Sequence, residues 1–288
     1  MKSVLLGLSL ALGAGAALAT TDAVAQTAKA AREQAEASMV LSGSIDIAAD
    51  GSVEGFSLKD ENKVDAGIVD FLKSTIAQWR FQPVVRDGRA VPARTPVSLR
   101  LVARVLPDKN TEVQLRSASF RTYDPDQTDD VRTVKMTPPS FPDDLLKARA
   151  AGDAMLLVQV DRNGDVMDAV AEQVNLHMVG PARVMQRMRD SIARTSVSAA
   201  HKWKFQAPTT GDAADAPYWT VRIPVSFTYQ RPAERYGKWQ PFVPGPRQTP
   251  SWRVEDGALE SASEVLPEGG VFMVGVDKGP RLLTPLQG

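Results

Sequence analysis

Between residues 41 and 58, apolar and polar positions alternate: Ile45 and Ile47 lie among polar neighbours, Asp50-Gly51 interrupts, and Val53, Phe56 and Leu58 follow. A period of two puts successive side chains on opposite faces, so a half-buried hairpin is expected. Asp-Gly at its tip suits a type I′ turn, whose two central residues both need positive φ. The period then changes. Ile68, Phe71, Leu72, Ile76 and Trp79 recur at intervals of three and four, the spacing of one helix face. Pro83, closing the run Trp79-Arg80-Phe81-Gln82-Pro83, stops the helix and starts an extended exit. After a turn at Asp87-Gly88, Val97, Leu99, Leu101, Ala103 and Val105 alternate with Ser98, Arg100, Val102 and Arg104. The expected order is strand, turn, strand, helix, strand.

The second half repeats that order. Residues 155–160, the turn Asn163-Gly164 and residues 166–174 make another hairpin, with Val158, Val160 and Val166 matching Ile45, Ile47 and Val53 at a constant offset of 113. A helix containing Met188, Ile192, Ala199 and Ala200 runs into Trp203-Lys204-Phe205-Gln206, offset by 124 from the first such run, and Val221, Ile223, Val225 and Phe227 form the closing strand. The changed offset implies an 11-residue insertion around residues 175–187. Recurrence of the three features in one order points to internal duplication. Each unit is expected to be α+β, one helix covering a small antiparallel sheet. Trp79, Phe81, Trp203 and Phe205 are expected in the cores, where helix hands over to sheet.

Around these units, 39–106 and 136–231, lie weaker segments. Residues 26–38 are rich in helix formers but lack large apolar side chains, so they read as a short helix or spacer. Residues 107–135 read as a charged linker, with Asp124, Asp126, Asp129 and Asp130 near Arg116, Arg121, Arg132 and Lys135, and one strand at 113–120. From 232 to 288, eight Pro and eight Gly oppose a packed core and suggest an extended tail over the second unit, with a further strand at 271–276. At the other end, Lys2, an apolar run at 4–19 and the Ala-x-Ala site Ala23-Val24-Ala25 have the layout of a cleavable signal peptide, residues 1–25. Ala17-Leu18-Ala19 fits the small-residue rule as well, and the competing reading is an uncleaved anchor. The run is shorter than the roughly 20 strongly apolar residues of a membrane span, so a periplasmic product with no integral span is expected.

Composition narrows the chemistry. Lys+Arg and Asp+Glu both number 34, giving no basic field for a phosphate backbone, so nucleic acid is not an expected partner. With no cysteine there is no disulfide, Cys-ligated metal, thiol nucleophile or diacylglyceryl anchor. The two histidines, His177 and His201, are not at helical spacing and are expected at the surface or in a cap. No nucleotide-binding, nucleophile-elbow or metalloprotease motif occurs in the expected mature chain. Asp161-Arg162-Asn163-Gly164-Asp165 is a hairpin turn rather than a calcium loop, its glycine coming too early and the distal glutamate missing. The acidic run 124–130 reads as a solvated charge cluster, and Asp143-Asp144 as acids at a helix start. Met178, Met185 and Met188 suit either a core gap or a partner contact. No catalytic residue, cofactor or metal ligand is expected.

The second unit resembles the C-terminal domain of the TonB family. Pro138-Pro139-Ser140-Phe141-Pro142 is similar to the family's proline-led opening motif, and Val158-Gln159-Val160-Asp161-Arg162-Asn163-Gly164-Asp165-Val166 to its central hairpin. Ala199-Ala200-His201-Lys202-Trp203-Lys204-Phe205 resembles its helix end, and Val221-Arg222-Ile223-Pro224-Val225-Ser226-Phe227 its last strand. The first unit fits more loosely and lacks the proline motif. The resemblance implies a periplasmic, non-enzymatic module that pairs an edge strand with an extended segment of an outer-membrane receptor. In full transducers of the family the domain also passes on force from an inner-membrane motor. This N-terminus has no histidine to contact a motor, and no long Pro-Lys and Pro-Glu spacer follows it, so a binding module is favoured over a tethered transducer. A structural or homodimerising envelope protein is a third reading.

An exposed sheet edge offers unpaired N–H and C=O groups to an added strand. The candidate edge is the closing strand, 219–229, with Trp219, Thr220, Arg222, Pro224, Ser226 and Thr228 as site residues and Thr220, Arg222, Ser226 and Thr228 expected to point away from the core. Pro224 has no N–H and leaves a gap in any added ladder. The alternative is a strand protected by its proline and covered by the tail.

Overall fold

A computed structural model describes residues 36–105, 111–230, 232–254, 265–276 and 279–286. The expected signal peptide at 1–25, and residues 26–35 of the expected helix or spacer, lie outside these. Residues 36–38 are strand, the start of β1 (Glu36–Ile47), which turns into β2 (Val53–Leu58). Helix α1 (Ala66–Ile76) opens on Asp65, whose carboxylate accepts from the Gly67 N–H. It buries Val69, Leu72 and Ile76, while Ile68 and Phe71 are only half-buried, so the core-facing stripe is centred one position from the expected one. A small hairpin, β3 (Val85–Arg86) and β4 (Arg89–Ala90), leads to β5 (Ala93–Val105) and β6 (Thr111–Ser119). β1 lies antiparallel between β2 and β5, and β6 adds beyond β5.

After β7 (Arg132–Lys135) and α2 (Asp143–Ala148), the elements recur: β8 (Gly152–Asp161), β9 (Val166–Leu176), α3 (Ala182–Ala200), β10 (Lys204–Gln206) and β11 (Tyr218–Phe227). β8 lies antiparallel between β9 and β11. Asp143 and Asp144 sit in the first turn of α2 but do not cap it; Asp144 accepts from the Leu145 N–H and from Ser191 Oγ. The fold is α+β, with a separate apolar core beneath each helix. The 11 extra residues of the second half are not an inserted loop. β9 has 11 residues against 6 in β2, and α3 has 19 against 11 in α1, while the connection between strand and helix is shorter. Met185 and Met188 fill the core under the added helical turns, with Met178 packed against it.

The hairpin tips correct the type I′ expectation. Asp50 and Asn163 keep negative φ; only Gly51 and Gly164 are left-handed, at 84° and 83°. Gly51 donates to Ala48 O (3.0 Å) and Gly164 to Asp161 O (3.0 Å), a type I turn followed by a glycine bulge. The paired positive φ of a type I′ turn occurs instead at Asp87-Gly88. Both bulge glycines have a second task. Phe81 N donates to Gly51 O (2.8 Å) and Phe205 N to Gly164 O (2.9 Å), and a Cβ on either glycine would collide with that phenylalanine's carbonyl. The W-[KR]-F-Q runs thus lock onto the hairpin tips, with each Trp edge-on to its Phe at 6.3 and 6.4 Å. All four rings are buried, at 1–3% exposure.

The segments around the units are structural. β7, in the stretch expected to be a charged linker, pairs with β10. The tail spans both units rather than the second alone. A short helix, α4 (Pro232–Arg235), precedes β12 (Gln240–Phe242), which pairs with the start of β1. Val243 then exchanges backbone hydrogen bonds with Leu176 of β9 (2.8 and 3.1 Å). Residues 281–284 run beside the first W-R-F-Q motif: Gln82 N donates to Arg281 O (2.9 Å), Leu283 N to Arg80 O (2.8 Å), and Arg80 N to Thr284 Oγ1 (2.8 Å). Among the described residues no helix is long and apolar enough to cross a membrane.

Candidate partner-binding site

β11 is built as alternation predicts on its core side: Trp219, Val221, Ile223 and Phe227 are buried under α3. Its other face is not the open surface expected. Arg222 is 4% exposed and forks onto Glu172 of β9, Nε to Oε2 at 2.6 Å and NH2 to Oε1 at 2.7 Å. A bidentate guanidinium–carboxylate pair satisfies both charges where water is excluded. Thr220 is also buried and accepts from Trp252 Nε1 at 3.0 Å, as the tail crosses this face. Gln248 N donates to Glu172 O (2.7 Å), and Arg189 of α3 reaches the Val243 and Pro244 carbonyls. Ser226 and Pro224 are partly exposed, and Thr228 lies just past the strand. The sequence contained a clue to the pair: Arg222 is the single charge of an otherwise uncharged strand segment, which points to partnered burial.

The edge of β11 is occupied. β13 (Phe272–Met273) pairs antiparallel at Val221↔Met273 and Arg222↔Phe272, Val274 N donates to Thr220 O (2.8 Å), and Arg121 NH2 holds Met273 O (2.9 Å). This pairing ends at Arg222, two residues before Pro224, which has no N–H to offer on that edge. Beyond it, the end of β11 borders a cleft of about 480 Å³ between the units, with β1 and β5 on one side, β8, β9 and β11 on the other, and the tail as its rim.

The cleft gathers the charged groups. His177, expected at the surface, is one of them: its side chain is 11% exposed and its Nε2 lies 2.7 Å from Asp153 Oδ2. Ser226 Oγ is 2.9 Å from Asp153 Oδ1 and from Glu268 Oε1. Arg100 lies over the Phe242 ring, 4.6 Å from its centroid, and donates to Ser38 Oγ at 2.9 Å. Burial pushes the Asp153 carboxyl up, but the charge and hydrogen bond of His177, the charge of Arg100 and the Ser226 hydroxyl outweigh it and hold the group below the usual carboxylate range. Serine and histidine both bond to the aspartate, where an activated nucleophile needs the serine on the imidazole. The arrangement is a hydrogen-bond network centred on Asp153. Among the described residues no three His, Asp or Glu side chains are placed to hold a metal ion. His201 is exposed at the C-cap of α3.

No protein-family pattern matches the chain, and no solved structure matches it. Over 98 residues it is 34% identical to Protein TonB from two strains of Xanthomonas campestris pv. campestris. The match covers 34% of this chain, and the chain spans 38% of the length of those relatives. An α+β chain of antiparallel sheets thus contains a stretch similar to TonB, consistent with a TonB C-terminal-like domain.

Proposed function

We propose that this is a non-enzymatic periplasmic protein of two TonB C-terminal-like units, which binds an extended segment of an envelope protein, an outer-membrane receptor in the first place, by pairing with the edge of a closing strand. The observation that carries the reading is the similarity to TonB. The closing strands add support. β5 and β11 both take an added antiparallel strand on the edge away from their hairpin, β6 on one and β13 on the other, so this edge accepts a segment in either unit.

Photo-crosslinking in cells from Ser226 and Thr228, the accessible positions near the free end of β11, tests it. An envelope protein captured from these positions, and not from the buried Arg222, is the expected result. Capture from none of them in cells expressing the full set of outer-membrane receptors sinks the reading.

A further inference from the structure

The tail beside β11 is held in two different ways. Val271, Phe272 and Met273 are 0%, 1% and 3% exposed, with Val271 and Met273 in the core of the second unit. Residues 265–268, on the other side of Gly269 (φ 77°) and Gly270, hang on less. Val265 is buried at 4%, Leu266 and Pro267 are half-buried, and Glu268 reaches across the cleft mouth to Ser226 Oγ (2.9 Å) and Arg235 NH2 (2.8 Å). The Glu268 side chain is 46% exposed while Arg235 is 17% exposed. Both groups come from the tail at the rim, the cation from the more buried part of it and the anion from the more exposed.

We infer that the inter-unit cleft is a docking site for an extended partner segment in which an aliphatic residue precedes a carboxylate by three positions, and that residues 265–268, at its mouth, are an internal copy of that segment. The inference rests on the edge-pairing reading and adds the chemistry of the partner. Charge complementarity selects the occupant. Arg235 presents a largely buried guanidinium to one carboxylate, beside Ser226 Oγ, whose single proton Asp153 and Glu268 share, and the cleft adds Lys238 on the same rim. Val40, Met155, Phe242 and Val265 all line the cleft, an apolar lining that suits an aliphatic side chain. An incoming strand meets β11 beyond Arg222, where the chain's own pairing ends. It needs to displace one buried side chain, whereas removing residues 271–273 would expose three. β13 stays as the fixed neighbour.

The probe is a fluorescent peptide copying residues 263–270, titrated into the full chain and read by anisotropy. In a chain carrying Val265→Ser and Glu268→Gln the internal copy is weakened, and the peptide is expected to bind about tenfold more tightly than to the unaltered chain. Should the double variant fold poorly by circular dichroism, Glu268→Gln alone, at an exposed carboxylate, serves with a gain of about threefold. A peptide with glutamine in place of its Glu268 equivalent is expected to bind several-fold more weakly, and Arg235→Glu to abolish that preference. Equal binding to altered and unaltered chains, or indifference to the carboxylate, overturns the inference. Peptide binding without in-cell capture from Ser226 defeats only the wider reading; capture without peptide binding defeats only the cleft.

Discussion

The two units agree where their chemistry is local and diverge where help comes from outside. In both, a phenylalanine amide closes on a bulge glycine at the hairpin tip, and the neighbouring tryptophan stacks edge-on. The partners of the W-[KR]-F-Q runs differ. The second unit takes β7, from the stretch just before it, while the first takes residues 281–284 from the far end of the chain. Among the described residues, the tail takes in the first unit the place that β7 takes in the second. The closing strands diverge too: β5 is paired by β6 along residues 98–105, whereas β11 has two residues of β13 and then a cleft. An internal repeat copies its own contacts, and the edges it leaves open are closed by whatever chain is at hand.

The comparison can be broken most forcefully at its common core. Phe81→Ala and Phe205→Ala are each expected to cost about 3–5 kcal/mol in urea denaturation; a loss under about 1 kcal/mol in one unit would end the parallel. Next come the charges. Arg222→Ala leaves Glu172, 6% exposed, without its forked partner, at an expected cost of about 3 kcal/mol. Arg104→Ala in the first unit leaves Glu36 with Arg116 and removes a half-exposed side chain, at under about 1 kcal/mol. Deleting residues 281–288 is expected to destabilise the first unit alone by about 1–2 kcal/mol. Hydrogen exchange should then quicken at the Gln82 amide and stay unchanged at Phe205; equal acceleration at both would show that the tail supports the molecule as a whole.

The smallest effect concerns acid. Asp153 has a folded pKa below its unfolded value, so its contribution is present in full above the unfolded carboxylate pKa of about 3.9 and is lost as pH falls through the lower, folded one. Asp153→Asn is expected to flatten the stability curve below about pH 4, measured by urea midpoints from pH 7 to 3. A curve that keeps its slope places the acid-sensitive group elsewhere.

Much of this architecture is legible in the sequence. Hairpins, helices and W-[KR]-F-Q runs announce themselves because a period of two or of three to four is a property of neighbouring residues. The helix face was shifted by one position because Val69, among Ile68, Phe71 and Leu72, is as apolar as they are; only the sheet beneath decides which enters the core. The site was harder to read. Arg222 does face away from the α3 core, as alternation demands, yet it is buried because residues 243–254 cross that face. His177 carries no local sign of Asp153, 24 positions away. β7 is too short to show a period, and the strand expected at 271–276 carried no sign of its partner.

By itself, then, the sequence determined the α+β class, the order of elements in each unit and the four buried aromatics, because each depends on local geometry and on burying an amphipathic face. Only the tertiary structure decided which segment closes each sheet edge, that Arg222 and Glu172 form a sealed pair, and that Asp153, His177, Ser226 and Glu268 meet in one cleft. Backbone N–H and C=O groups are the same at every residue, so an open edge does not name its partner in the sequence. The choice falls to whichever distant segment the packed units bring within hydrogen-bonding reach.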